Sequence, residues 1–345
     1  MVICEARYQS YLAAAGLFAD EIRAVPVERP IVVDEVQRLP QLLNEVHRAI
    51  ESRGQRFVLC GSSARKLRAG GVDLLAGRAS RRNMHPLVPQ EMGADFDLDA
   101  ALRIGTIPLV QQSENPDETL SAYVQMYLKE EIQAEALVRN LPGFARFLPV
   151  SALFHGQVLN VSGLARDAGV ARTTINGYLD ILEDTLLAYR LPAFEARLRV
   201  RERRHPKLYW VDAGLVRAVL NRAGSPAAAE RGHLFEGWVA GLLRAYRDYR
   251  STFDELYYWA SGTGRRVEVD FLLQRQGERV AIEVKSGSER PTNDDLKGLR
   301  AIAALSGMRR RLLVYRGDRR LLTEDGIEII PVAELLQELA AGSLF

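Results

Sequence analysis

The stretch VEVDFLLQRQGERVAIEVKSG, Val267–Gly287, decides how this chain is read. Each arm alternates apolar and ionisable residues with the two-residue period of a strand, and a tight turn fits between them. Glu268 and Asp270 share a face of the first arm, and Glu283 and Lys285 share a face of the second. A turn at Gln276-Gly277 sets Asp270 opposite Glu283, whereas a turn one residue later sets it opposite Lys285. In either register Asp270, Glu283 and Lys285 lie on one face, with opposed Cβ atoms roughly 5 Å apart. Two converging carboxylates make an oxygen site for Mg²⁺, and a neighbouring lysine can stabilise charge on a scissile phosphate. That is the chemistry of a metal-dependent nuclease. The same alternation also describes the wet side of an ordinary hairpin, where acid–lysine pairs are common. The neighbourhood favours the first reading. Val280, Ile282 and Val284 form an apolar inner face, and LFEGWVAGLLRAY (Leu234–Tyr246) reads as a helix carrying Glu236 among apolar residues. A glutamate there can complete the metal shell or act as a base.

At 345 residues the chain has room for two or three domains. No apolar run approaches the roughly 18 residues of a membrane span. The opening MVICEARYQSYLAAAG has an acid and two tyrosines where a signal peptide would place an apolar block, so a cytoplasmic location and no membrane partner are expected. Cys4 and Cys60 supply neither a disulfide framework nor a zinc site, which fits a reducing compartment. The net charge of +2 gives no global sign of nucleic-acid binding. Locally, ARLRVRERRHPK gathers Arg197, Arg199, Arg201, Arg203, Arg204 and Lys207, a stripe that meets either phosphates or solvent.

Three segments follow one another. In residues 1–112, IVVDE (Ile31–Glu35) and RFVLCGSS (Arg56–Ser63) read as apolar strands on either side of the helix QLLNEVHRAIES (Gln41–Ser52). That order predicts a parallel sheet buried on both faces, with ligands beyond the carboxyl ends of its strands. Asp34-Glu35 at one such end has the form of a Walker B pair, the Asp holding Mg²⁺ and the Glu orienting water. Ser62-Ser63 tips the neighbouring strand like a sensor. Nowhere does G-x-x-x-x-G-K-[ST] occur, so ATP would lack its phosphate-binding loop.

Residues 113–222 read as mainly helical, with helices over Ser121–Leu137 and Phe144–Phe154. A helix–turn–helix pattern follows: Leu164, Ala165 and Ala168, the turn at Gly169, then Ile175, Leu179 and Leu182. Strands come next, which makes a winged helix, with Arg172, Thr174 and Asn176 at the position that reads bases. Asp180, Glu183 and Asp184 behind them repel DNA. After the Ala-rich linker AGSPAAAERG (Ala223–Gly232), residues 232–345 alternate helices and strands around the hairpin and predict a mixed α/β domain. A helix is expected there over Asn293–Ser306.

Taken together, IVVDEVQRLPQLLNEVH, RFVLCGSSARKL, LLAGR, TTINGYLDILEDTLL, KLYWVDAGLVRAVL, LFEGWV, EVDFLL and AIEVKSG resemble one bacterial and archaeal family over nearly the whole chain. The chain is similar to the predicted AAA-type ATPases with a C-terminal DUF4143 domain. The resemblance implies an α/β protein with a P-loop ATPase module, a winged helix and a domain like the PD-(D/E)xK nucleases. It places Asp34 and Glu35 at the Walker B pair, Ser62-Ser63 at the GSS after the next strand, and Arg78 at a family arginine that suits an arginine finger. It places Glu236, Asp270, Glu283 and Lys285 at the nuclease-like positions. The family opens with a strand, the phosphate loop and its helix, whereas this sequence begins beyond them, as if truncated. Metal ligation is expected at Asp270, Glu283 and Asp34, with DNA as partner and, by analogy with AAA modules, a homo-oligomer. The alternative is a non-enzymatic DNA- or partner-binding protein built on a degenerate ATPase core.

Overall fold

The computed structural model describes residues 5–61, 77–80, 82–127, 140–195, 205–261 and 267–345. Two compact units emerge, residues 1–81 with 182–187 and residues 82–181 with 188–345. Among the described residues no helix is long and apolar enough to cross a membrane.

The first unit runs α1 (Glu5–Ala13), α2 (Ala15–Ala24), β1 (Ile31–Val33), α3 (Leu42–Arg53) and β2 (Phe57–Leu59). The strands pair in parallel, Ile31 beside Phe57 and Val33 beside Leu59. Apolar spacing gives α3 a buried stripe of Leu42, Leu43, Val46 and Ala49, which joins Phe18 and Val33 in one core. Gly54, left-handed at φ 66°, ends the helix with its amide donating to the Ala49 and Ile50 carbonyls. The expectation of a sheet buried on both faces is corrected here. Val32 and Val58 are 41% and 50% exposed, because the helices of this unit cover one side of a two-stranded pair.

Farther along come α4 (Leu98–Ile104), α5 (Pro116–Ala122) and α6 (Leu141–Leu153). The helix expected over Ser121–Leu137 is described only to Tyr127, where α5 passes into a π-helical turn over Tyr123–Tyr127; the rest lies outside the described residues. Two helices, α7 (Val161–Ala168) and α8 (Arg172–Asp184), meet at Gly169, φ 64°, and the Asn160 side chain caps α7 by accepting from the Gly163 amide. A small antiparallel sheet accompanies them in the order β3 (Gln157–Val158), β5 (Lys207–Trp210), β4 (Ala188–Leu191).

After α9 (Ala213–Val219) the 23-residue α10 (Ala228–Arg250) begins inside the Ala-rich stretch read as a linker, since alanine is the strongest helix former. It packs on a six-stranded mixed sheet. The strands are β6 (Glu255–Ala260), β7 (Glu268–Arg275), β8 (Glu278–Lys285), β9 (Met308–Tyr315), β10 (Leu321–Leu322) and β11 (Glu328–Pro331), in the order β10-β11-β9-β8-β7-β6. β7 runs antiparallel to its neighbours β6 and β8, and β8, β9 and β11 run parallel. The closing helices are α11 (Lys297–Ala301) and α12 (Val332–Ala341). α11 is shorter than the helix expected over Asn293–Ser306. Asp295 accepts from the Thr292 amide and hydroxyl, a local turn that competes with helix at the front.

Under α11 the sheet contributes Val269, Leu272, Ala281 and Leu313 to an apolar cluster with Leu299 and Ile302. Close approach there requires Gly298, because a Cβ at that position would stand 2.1 Å from the Glu268 carbonyl oxygen. That clash is with backbone and has no flexible atom to yield. Gly298→Ala is therefore expected to destabilise the chain by about 1–3 kcal/mol, the cost of overpacking, as measured by urea denaturation.

Candidate functional site

The hairpin turns at Gln276-Gly277, both left-handed at φ 48° and 90°, as a two-residue primed turn requires. Pairing then runs from Arg275–Glu278 to Phe271–Ile282, and the next positions in line are Asp270 and Glu283. Of the two registers open to the sequence, this is the first. Asp270 Oδ2 accepts from the Val284 amide at 3.0 Å, and Lys285 Nζ donates to Glu283 Oε1 at 2.7 Å. α10 brings Glu236, buried, to the same place.

The side chain that organises the group was not anticipated. Lys207, the last residue of the basic stripe, is 3% exposed, and its ammonium lies 2.9 Å from Glu236, 3.3 Å from Glu268 and 3.4 Å from Asp270. Strand alternation puts Tyr209 on the same side of β5, where its hydroxyl donates to Glu236 Oε1 at 2.5 Å. The signal was present in KLYW: a lysine leading a short strand buried at every position needs anionic partners. Arg197 to Arg204 lie outside the described residues.

Gly237, next to Glu236, leaves room for the ring of His155, whose Nε2 would stand 1.9 Å from a Cβ there. His155 Nδ1 accepts from the Trp210 amide at 3.0 Å, and burial, with His233 nearby, drives its pKa down to about 3, so the ring is neutral.

Residues 4–93 match the family model of an AAA domain, 95–225 that of a domain of unknown function, DUF8612, and 231–335 that of DUF4143. The chain joins an AAA domain to a DUF4143 domain. An uncharacterized protein of Mycobacterium tuberculosis is 28% identical over 314 residues, covering 89% of this chain and 69% of that one. An uncharacterized protein of Haemophilus influenzae is 22% identical over 327 residues, covering 88% and 76%. The crystal structure of protein VC1899 from Vibrio cholerae shares 16% identity over 89% of this chain and 79% of that one, with a TM-score of 0.26.

Around the hairpin the electrostatics follow from burial. Five carboxyl groups, Glu236, Glu268, Asp270, Glu283 and Asp295, face two ammonium groups, Lys207 and Lys285, so acidic groups outnumber basic ones. Burial, then the Asp270 charge, pushes Glu236 up to about 7 and Glu283 up to about 8. Burial opposes the charge of Lys207, but Glu236, Asp270 and Glu268 outweigh it, and the pKa rises above the ordinary lysine value. Lys285 is likewise raised, its burial outweighed by Glu283. Glu283 Oε2 is buried and has no hydrogen-bond partner among the described residues.

Among the described residues no group of three or more His, Cys, Asp or Glu side chains is set to hold a metal ion. Glu236 Oε1 accepts from Lys207 and Tyr209.

In the AAA domain, Asp34 follows β1 and its Oδ1 accepts from the Glu35 amide at 3.0 Å, while Glu35 is left-handed at φ 53°. Cys60 stands beside them: its amide donates to the Val33 carbonyl, and burial, then the Asp34 charge, raises its thiol pKa. Arg78 pairs with Glu51 of α3. Ser62 and Ser63 lie outside the described residues. On α8, Arg172 and Asn176 are exposed and Thr174 is half-buried, while Asp180 pairs with Arg190 at 2.8 Å.

Because the folded state holds protons on Glu236 and Glu283 that the unfolded chain has released, stability falls as pH rises through their folded values. The lowered histidines, His85, His155 and His233, finish titrating below this window. In chelator, the full chain is expected to lose on the order of 1 kcal/mol between about pH 7 and pH 9. Glu283→Gln should flatten that loss in denaturation curves.

Proposed function

We propose that the DUF4143 domain is a Mg²⁺-dependent phosphodiester-cleaving centre of the PD-(D/E)xK kind, acting on DNA. The observation that carries this reading is the shared hairpin face of Asp270 and Glu283, with a buried Glu283 oxygen left unpartnered beside an excess of negative charge. Hard carboxylate oxygens suit Mg²⁺, which takes one or two carboxylates, keeps several waters and shares the rest of its shell with phosphate. Two ligands therefore suffice without a protein cage. The ion, when bound, would polarise a phosphoryl oxygen and offset developing charge.

The chain's own residues divide the remaining work. Lys285, at the rim of the group and held by Glu283, presents a point charge to the scissile phosphate. Glu236 acts as a positioning residue, fixing Lys207 and Tyr209. α7 and α8 with the strands that follow have the order of a winged helix, in which Arg172, Thr174 and Asn176 would face the duplex. The AAA domain supplies Asp34 and Glu35 toward Mg²⁺ and ATP, with Arg78 as the candidate arginine finger, though the sequence contains no phosphate loop.

A second reading has its own observation. The Lys207 ammonium stands among three carboxylates as a built-in counter-ion, which suits a non-enzymatic DNA- or partner-binding protein on a degenerate ATPase core. The two separate in one experiment with full-length protein, plasmid DNA and Mg²⁺. Cleavage that drops by roughly 10²–10³-fold in Asp270→Ala is the expected outcome. Equal cleavage by the two proteins removes the nuclease reading; salt-sensitive binding without cleavage establishes the second.

A further inference from the structure

We propose that Lys207 is a resident cation that takes the place of a second metal ion, so that the centre accepts one divalent cation, at Asp270 and Glu283. This inference rests on the metal-site reading above and adds to it the number of ions and the reason for that number. The geometry is specific. Nζ is 2.9 Å, 3.3 Å and 3.4 Å from Glu236, Glu268 and Asp270, so one ammonium is paired with carboxylates from three backbone positions and donates to Glu236 and Asp270. The Tyr258 ring, 5.7 Å away, adds its π face to the enclosure.

Asp270 is the shared member. Its Oδ1 faces Lys207, and its Oδ2 is fixed by the Val284 amide on the strand that carries Glu283. Two-metal phosphoryl-transfer centres use a carboxylate between two cations, about 3.5–4 Å apart, with further acids on each side. Here one side has Glu236 and Glu268 around an ammonium, and the other has Glu283 with its unpartnered Oε2. An ammonium brings one positive charge where a metal would bring two, and it cannot exchange with solvent. Lys207 reaches the site from β5, in the segment that matches DUF8612, and so the cation comes from outside the residues that match DUF4143.

The test is the number of Mn²⁺ ions bound per full-length chain, by titration calorimetry and by loss of the free-ion electron paramagnetic resonance signal. Wild type and Lys207→Arg, which keeps the charge, are expected to bind one ion. Lys207→Gln, which opens the position, is expected to bind two. If Lys207→Gln is unfolded in chelator, refolding by Mn²⁺ with two ions bound is the same result read as a transition, and failure to refold counts against the proposal. One ion in both wild type and Lys207→Gln overturns the role of Lys207 and leaves the Asp270–Glu283 site standing. No ion in wild type but one in Lys207→Gln supports Lys207 as the cation surrogate and removes the metal site. No ion in any variant removes both.

Discussion

A single buried ammonium holds three parts of the second unit in place. Lys207 arrives on the small sheet, Glu236 on the long helix, and Glu268 and Asp270 on the mixed sheet, and the buried Lys207 ammonium depends on the carboxylates around it. Desolvating an ion costs several kcal/mol, so each element is pinned by charges that it does not itself carry. The apolar contacts around them are numerous but fungible; Leu242 or Leu272 would accept another hydrocarbon of similar volume with modest loss. The lysine would not, since its removal leaves an uncompensated cluster worth about 3–5 kcal/mol. The hairpin chemistry is secondary to this constraint. Asp270 pairs with Lys207, and its charge, after burial, raises the Glu283 pKa.

Much of this was legible in the residues. Alternation around a Gln-Gly turn is a local property, and it put Asp270, Glu283 and Lys285 on one face without knowledge of the remaining chain. The stripe of α3 and the parallel strands flanking it follow from periodicity in the same way. Lys207 was missed for the opposite reason. Its partners lie 29 to 63 positions away along the chain, and it closes a segment rich in arginine, so local pattern assigned it to solvent or phosphate. Only its place at the head of an otherwise apolar strand hinted at burial. Similarly, Glu236 was read on a helix among apolar residues, but its bonds to Lys207 and Tyr209 were not legible, because both partners lie on a strand distant in sequence. The two-sided sheet failed because strand composition reports hydrophobicity and not what covers each face; Val32 and Val58 are as apolar as buried neighbours would be.

The helix that carries Glu236 shows how packing and charge are reconciled at one position. Gly237 has no side chain, and the space is filled by His155, a ring kept neutral by burial. A charged imidazole there would be buried without an anionic partner. An uncharged one fills volume, accepts the Trp210 amide and leaves the balance undisturbed. Shape and charge are thus assigned to different residues, with the glycine making room for a neighbour that stays electrically silent.

Lys207 also bears on how such chains can be cut and rejoined. The stretch recognisable as a DUF4143 module starts after the lysine that balances its acids. Transplanted alone onto another partner, that module would carry its anionic cavity without its counter-charge, and the recipient would have to furnish a cation at the same point or see the pocket fill with protons. The recurring block of sequence therefore ends short of the group of charges it depends on, and in this chain Lys207 and Glu236 belong together across that edge.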